Sequence, residues 1–100
     1  TEGVCRFDRD GRIIIHNRAF EVLCERAPQG TRPKLDQCLD TETMRLARDT
    51  LARLTPEAPV SSFTHSVIGA GAFSVWYRST IRANFEEGGR LGGGQWIAVD

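Results

Sequence analysis

Residues 3–20 read GVCRFDRDGRIIIHNRAF, and this stretch decides the fold. Two short apolar runs, residues 3–8 and 12–16, flank Arg9-Asp10-Gly11. An Asp-Gly pair tolerates the positive φ angles of a tight turn, so the two runs are predicted to form a β-hairpin. Asn17 follows at once. Its short amide is a good acceptor for the free N–H groups of a helix start, which predicts a helix over residues 18–26 with Phe20, Leu23 and Cys24 on one face.

Working outward, residues 27–40 carry Pro28, Gly30 and Pro33 and read as a loop with room for one helical turn. Asp40 or Thr41 then caps a longer helix reaching Leu54, in which Met44, Ala47, Leu51 and Leu54 form an apolar stripe at 3–4–3 spacing. Pro56 and Pro59 end it. The rest has strand character. Residues 60–68 lead through Gly69-Ala70-Gly71 into a strand over 72–85. There Phe73, Val75, Tyr77, Ser79, Ile81 and Ala83 alternate with Ser74, Trp76, Arg78, Thr80 and Arg82. Residues 86–94, rich in Glu and Gly, are predicted to be a loop before a last strand over 95–99. The order ββααβββ describes an α+β fold, an antiparallel sheet with helices on one face.

One hundred residues form one domain, 1–100. Thirteen basic and thirteen acidic residues cancel, which leaves no field to attract nucleic acid or an anionic membrane. Cys5, Cys24 and Cys38 make no CxxC pair and no metal-ligand spacing, so a reduced, cytoplasmic chain is expected. No apolar run approaches the ~18 residues of a membrane span. A chain that opens on Thr1 is read as a fragment of a longer protein.

The same opening residues carry a resemblance. The strand Gly3–Asp8 ending in Asp, the Asp10-Gly11 turn, the apolar second strand and Asn17-Arg18-Ala19-Phe20 together resemble the PAS family. Val75-Trp76-Tyr77 and the closing strand ending at Asp100 resemble that family's last strands. The resemblance implies a five-stranded sheet of order 2-1-5-4-3 with helices closing over its concave face around a small cavity. It also implies a sensory or regulatory role in a bacterial signalling protein: a histidine kinase, diguanylate cyclase or transcription regulator. Such a domain binds a small ligand, dimerises, or does both, and is not an enzyme itself. A dimerisation module without ligand is one alternative, and a flavin or haem sensor is another. The flavin-binding branch places its cysteine in Asn-Cys-Arg-Phe-Leu-Gln, whereas Cys38 here lies in Asp36-Gln37-Cys38-Leu39-Asp40. Haem-binding relatives supply a histidine from the long helix, and residues 41–54 hold none. No cofactor is therefore expected.

Strand and helix alternation names the candidate residues. Cys5, Phe7, Ile14, His16, Met44 and Leu51 are predicted to face one interior together with Phe63, Tyr77, Ser79, Ile81 and Trp96. This lining suits a small, largely uncharged ligand. Ile13, Ile15, Trp76, Ile97 and Val99 are predicted on the outer face, with Ile15 and Val99 on neighbouring strands in the implied sheet order, as a surface for a second subunit or a flanking helix. In the sheet order that the resemblance implies, His16 and His65 fall on opposite edges, roughly 15–20 Å apart, too far to share a metal. Of the two, His16 is expected to be the polar cavity group. The glycines of 88–94 match no phosphate-binding loop, and no catalytic constellation can be assembled.

Overall fold

The computed structural model describes residues 2–68 and 73–100. Five strands form one antiparallel sheet: β1 (Glu2–Asp8), β2 (Ile13–His16), β3 (Val60–Ile68), β4 (Ser74–Phe85) and β5 (Leu91–Val99). Their order is β2-β1-β5-β4-β3, as the resemblance implies. A 3₁₀ segment (Arg18–Leu23), α1 (Leu35–Cys38) and α2 (Thr41–Arg53) complete the chain. The Gly69–Gly71 turn, and residue 72 at the predicted start of β4, lie outside the described residues. Among the described residues no helix is long and apolar enough to cross a membrane.

Asn17 fixes the way out of the hairpin. Its Oδ1 accepts from the N–H groups of Phe20 (3.1 Å) and Val4 (2.9 Å), and its Nδ2 donates to Glu2 O at 2.8 Å. The predicted helix 18–26 is instead a 3₁₀ segment that stops at Leu23. The tighter winding stacks residues i and i+3, which puts Phe20 and Leu23 on one buried line and leaves Cys24 half-buried.

Asp40 caps α2, its Oδ2 accepting from Thr43 N–H at 3.1 Å. The face turned to the sheet holds Thr43, Met44, Ala47 and Thr50. Leu51 is only half-buried beside them. Neither threonine belongs to the apolar stripe that the sequence predicts, because a hydroxyl counts as polar. Thr50 satisfies its hydroxyl internally by donating to Leu46 O at 2.8 Å.

Two strand expectations need correction. The last strand begins at Leu91, so Gly92, Gly93 and Gly94 are strand residues and not loop. They let β5 pass closely between β1 and β4: a Cβ on Gly94 would lie 2.6 Å from Arg82 O and 2.8 Å from Phe7 Cζ. The second correction concerns β2. Cys5 pairs with His16 and Arg6 with Ile15, but Phe7 pairs with Ile13, so Ile14 is the extra residue of a β-bulge. Ile13 is thereby buried, at 3% exposure, and Ile14 is turned out, at 48%. Alternation alone assigns these two the other way round.

Candidate functional site

Of the residues expected to face the interior, Cys5, Phe7, Met44, Tyr77, Ser79, Ile81 and Trp96 are buried in one core, with Leu51 and Phe63 packed partly against it. Ile14 does not belong, because of the bulge. His16 does not act as a cavity group either: it sits half-buried at the β2 edge, with Nε2 3.0 Å from Glu21 Oε2. Trp96 occupies the centre, edge-on to Phe20 (5.7 Å) and Phe63 (5.8 Å).

Three of these residues, Phe7, Met44 and Leu51, line a cleft of about 210 Å³ between the β1–β2 turn and α2. Leu35 and Leu91 complete its apolar floor. The sequence reading missed both, since each lay in a stretch read as loop. The rim is charged on both sides, by Arg9 and Asp10 on the turn and by Asp36 and Arg48 on the helices. Two of its arginines find carboxylates: Arg48 Nη2 lies 3.3 Å from Asp36 Oδ2, and Arg9 Nη1 3.5 Å from Glu86 Oε1.

The buried polar group of the interior is His65. Its Nε2 lies 2.7 Å from Ser79 Oγ and its Nδ1 3.4 Å from Thr43 Oγ1, a line that ties β3, β4 and α2 together. The rings of Phe63 and Tyr77 flank it at 5.1 and 6.1 Å. Burial holds the imidazole below its ordinary value of 6.5, and the nearby Asp40 carboxylate opposes that shift. The folded protein therefore resists a proton that the unfolded chain accepts. Stability from this site is full above about pH 6.5 and is lost as the pH falls below it. Urea titrations between pH 8 and pH 5 are expected to show this fall, limited to about 1.4 kcal/mol per pH unit for one proton. His65→Gln should remove that part of the slope.

The three cysteines are free thiols. Burial raises Cys5 and Cys24 to about 12, with smaller contributions from neighbouring thiols and, for Cys24, Glu21. Cys38 is also raised, by burial and then by Asp36. Each behaves as a small apolar group, because the nucleophilic thiolate is suppressed at neutral pH. Among the described residues no cluster of three or more His, Cys, Asp or Glu side chains is placed to hold a metal ion.

On the outer face, Ile15, Trp76 and Val99 are exposed, at 60%, 64% and 42%. Ile97 is half-buried, and Ile13 belongs to the core. Ile15 and Val99 are not close: β1 lies between their strands, and Ile15 faces Arg6 while Val99 faces Glu2. The register joins them by another route. Ile15 is diagonal to Val4, Val4 is opposite Ile97, and Val99 follows Ile97 on the same face with Trp76 diagonal to it. The result is one oblique apolar stripe, bordered by Arg6, Arg78 and Glu2.

No family model matches the chain. No curated protein matches it either. Among solved structures, it is similar to the PAS domain of a protein from Colwellia psychrerythraea, with a TM-score of 0.63 at 15% identity, over 99% of this chain and 85% of that one. The sheet order, the helices on one face and that similarity agree: this chain has the fold of a PAS domain.

Proposed function

We propose that this domain is a sensory or regulatory module with no catalytic role of its own. It takes a small, largely uncharged ligand in the cleft floored by Phe7, Met44 and Leu51. The observation that carries this reading is an apolar floor beneath a rim that balances three acidic residues, Asp8, Asp10 and Asp36, with three basic ones, Arg9, Lys34 and Arg48, which favours an apolar body over an ion. A route for the signal starts at Phe7. Its ring lies against Gly94 of β5, and its strand presents Val4 and Arg6 to the outer face. A shift there reaches the oblique stripe, where a flanking helix or second subunit would carry it to an output domain of the histidine kinase, diguanylate cyclase or transcription-regulator kind. Free thiols, two of the three buried, suit a reducing, cytoplasmic setting.

The test is methyl NMR with uncharged alcohols and amides of graded chain length. The Met44 methyl is expected to shift in a saturable way, and Leu51→Trp, which plugs the cleft from a half-buried position, should abolish the shift. No saturable change at Met44, or one indifferent to Leu51→Trp, would leave the second reading: association through the stripe without ligand. Trp76→Glu should then abolish that association.

A further inference from the structure

The two edges of the sheet are built differently. β2 is four residues long and bulged, and its free side is partly taken by the segment before α1: Ile13 N–H donates to Pro33 O at 2.8 Å, and Arg12 bridges Lys34. β3, at the other edge, runs nine residues in unbroken register with β4, from Val60↔Arg82 to Ile68↔Ser74. Its sequence, VSSFTHSVI, holds no Lys, Arg, Asp, Glu, Pro or Gly. Natural sheets blunt their edges with charge, proline, bulges or cover, since an open edge is a template for another strand. β3 has neither charge, proline nor bulge.

The phase of the ladder shows which groups are open. Ala83 N–H donates to Pro59 O at 2.8 Å, directly before β3. Antiparallel alternation then turns the backbone of Ser61, Phe63, His65 and Val67 toward β4, and that of Val60, Ser62, Thr64, Ser66 and Ile68 outward. Among the described residues no hydrogen bond reaches the outward backbone groups of these five.

We infer that this edge pairs with the β3 edge of a second copy of the chain, antiparallel, about a two-fold axis through Thr64. In that register all five outward residues find both a donor and an acceptor. Val60 falls opposite Ile68 of the second copy, Ser62 opposite Ser66, and Thr64 opposite its own equivalent. Apolar thus meets apolar and hydroxyl meets hydroxyl, the pairings that stabilise neighbouring strands. A two-fold axis through a charged strand would set like charges against each other, and β3 carries none. The self-complementary register and the missing charge favour a second copy over a foreign peptide. The partly occupied β2 edge stops the sheet from growing further, so assembly closes at a dimer. This surface is separate from the cleft, and it adjoins the oblique stripe only at its Trp76 end, where Trp76 stands opposite Ser66.

Thr64→Glu tests it. The side chain is exposed and stands opposite Arg78 within the monomer, so the fold keeps a favourable neighbour while the two-fold axis acquires opposed carboxylates. Sedimentation velocity over a concentration series should show a wild-type dimer whose dissociation constant rises at least about tenfold in Thr64→Glu. Ile15→Glu, at the other end of the stripe on β2, should leave it unchanged. Hydrogen exchange supplies the second measurement: the amides of Val60, Ser62, Thr64, Ser66 and Ile68 should slow as the dimer forms. A monomer at all concentrations, a dimer broken by Ile15→Glu but not by Thr64→Glu, or a dimer in which those amides stay fast would each overturn the inference. The latter two outcomes would leave the ligand reading of the cleft untouched.

Discussion

Trp96→Ala is expected to destabilise the domain by about 3–5 kcal/mol, a large part of the 5–15 kcal/mol that holds a domain of this size. Trp96 is fully buried on β5 and meets the edges of both Phe20 and Phe63. Truncation removes the ring that joins the 3₁₀ segment, the sheet centre and β3, and leaves a cavity that three rigid elements cannot collapse into. The indole Nε1 is buried without a hydrogen-bond partner, so Trp96→Phe loses no bond there and is expected to cost much less. Urea melts of both variants check this. A Trp96→Ala loss below about 1 kcal/mol would mean that the interior closes around the smaller side chain.

Gly93→Ala is expected to cost about 3 kcal/mol or more, although it adds a single methyl group. Gly93 holds φ at 120°, where a side chain is strained, and its Cβ would run into the Phe7 carbonyl oxygen of β1. The obstacle is backbone on a hydrogen-bonded neighbour, so relief requires β1 and β5 to separate. Gly88→Ala is the control. Gly88 also has positive φ, at 93°, but a Cβ there meets nothing within 4 Å, and about 1 kcal/mol is expected. Equal losses at the two positions would show that conformational strain alone sets the cost. A larger loss at Gly93 shows that strand packing does.

Much of this architecture was legible because its signals are local. Asp10-Gly11 specifies its turn through φ preferences, Asn17 its cap through a side chain three residues from its target, and Asp40 does the same for α2. Period-two alternation placed Tyr77, Ser79 and Ile81 inward correctly, because β4 keeps regular register with β3 along its length. The sheet order was not legible from such signals, and it came from the resemblance of the whole chain, in element order and in its opening and closing residues, to a known family.

What escaped the sequence depends on contacts between distant segments. A bulge opposite Phe7 exchanges the faces of Ile13 and Ile14, and nothing in a run of three isoleucines marks which one is extra. Leu91 to Gly94 look like a flexible loop until β1 and β4 close on both sides, when the absence of side chains becomes the condition for pairing. His65 looked no more buried than His16. Its place was settled when β3 came to lie under α2, where Thr43 and Ser79 receive the two ring nitrogens. Residue identities determined each local turn, cap and period. Only the packed tertiary structure decided which of those residues meet, because burial and register are properties of pairs far apart in the chain.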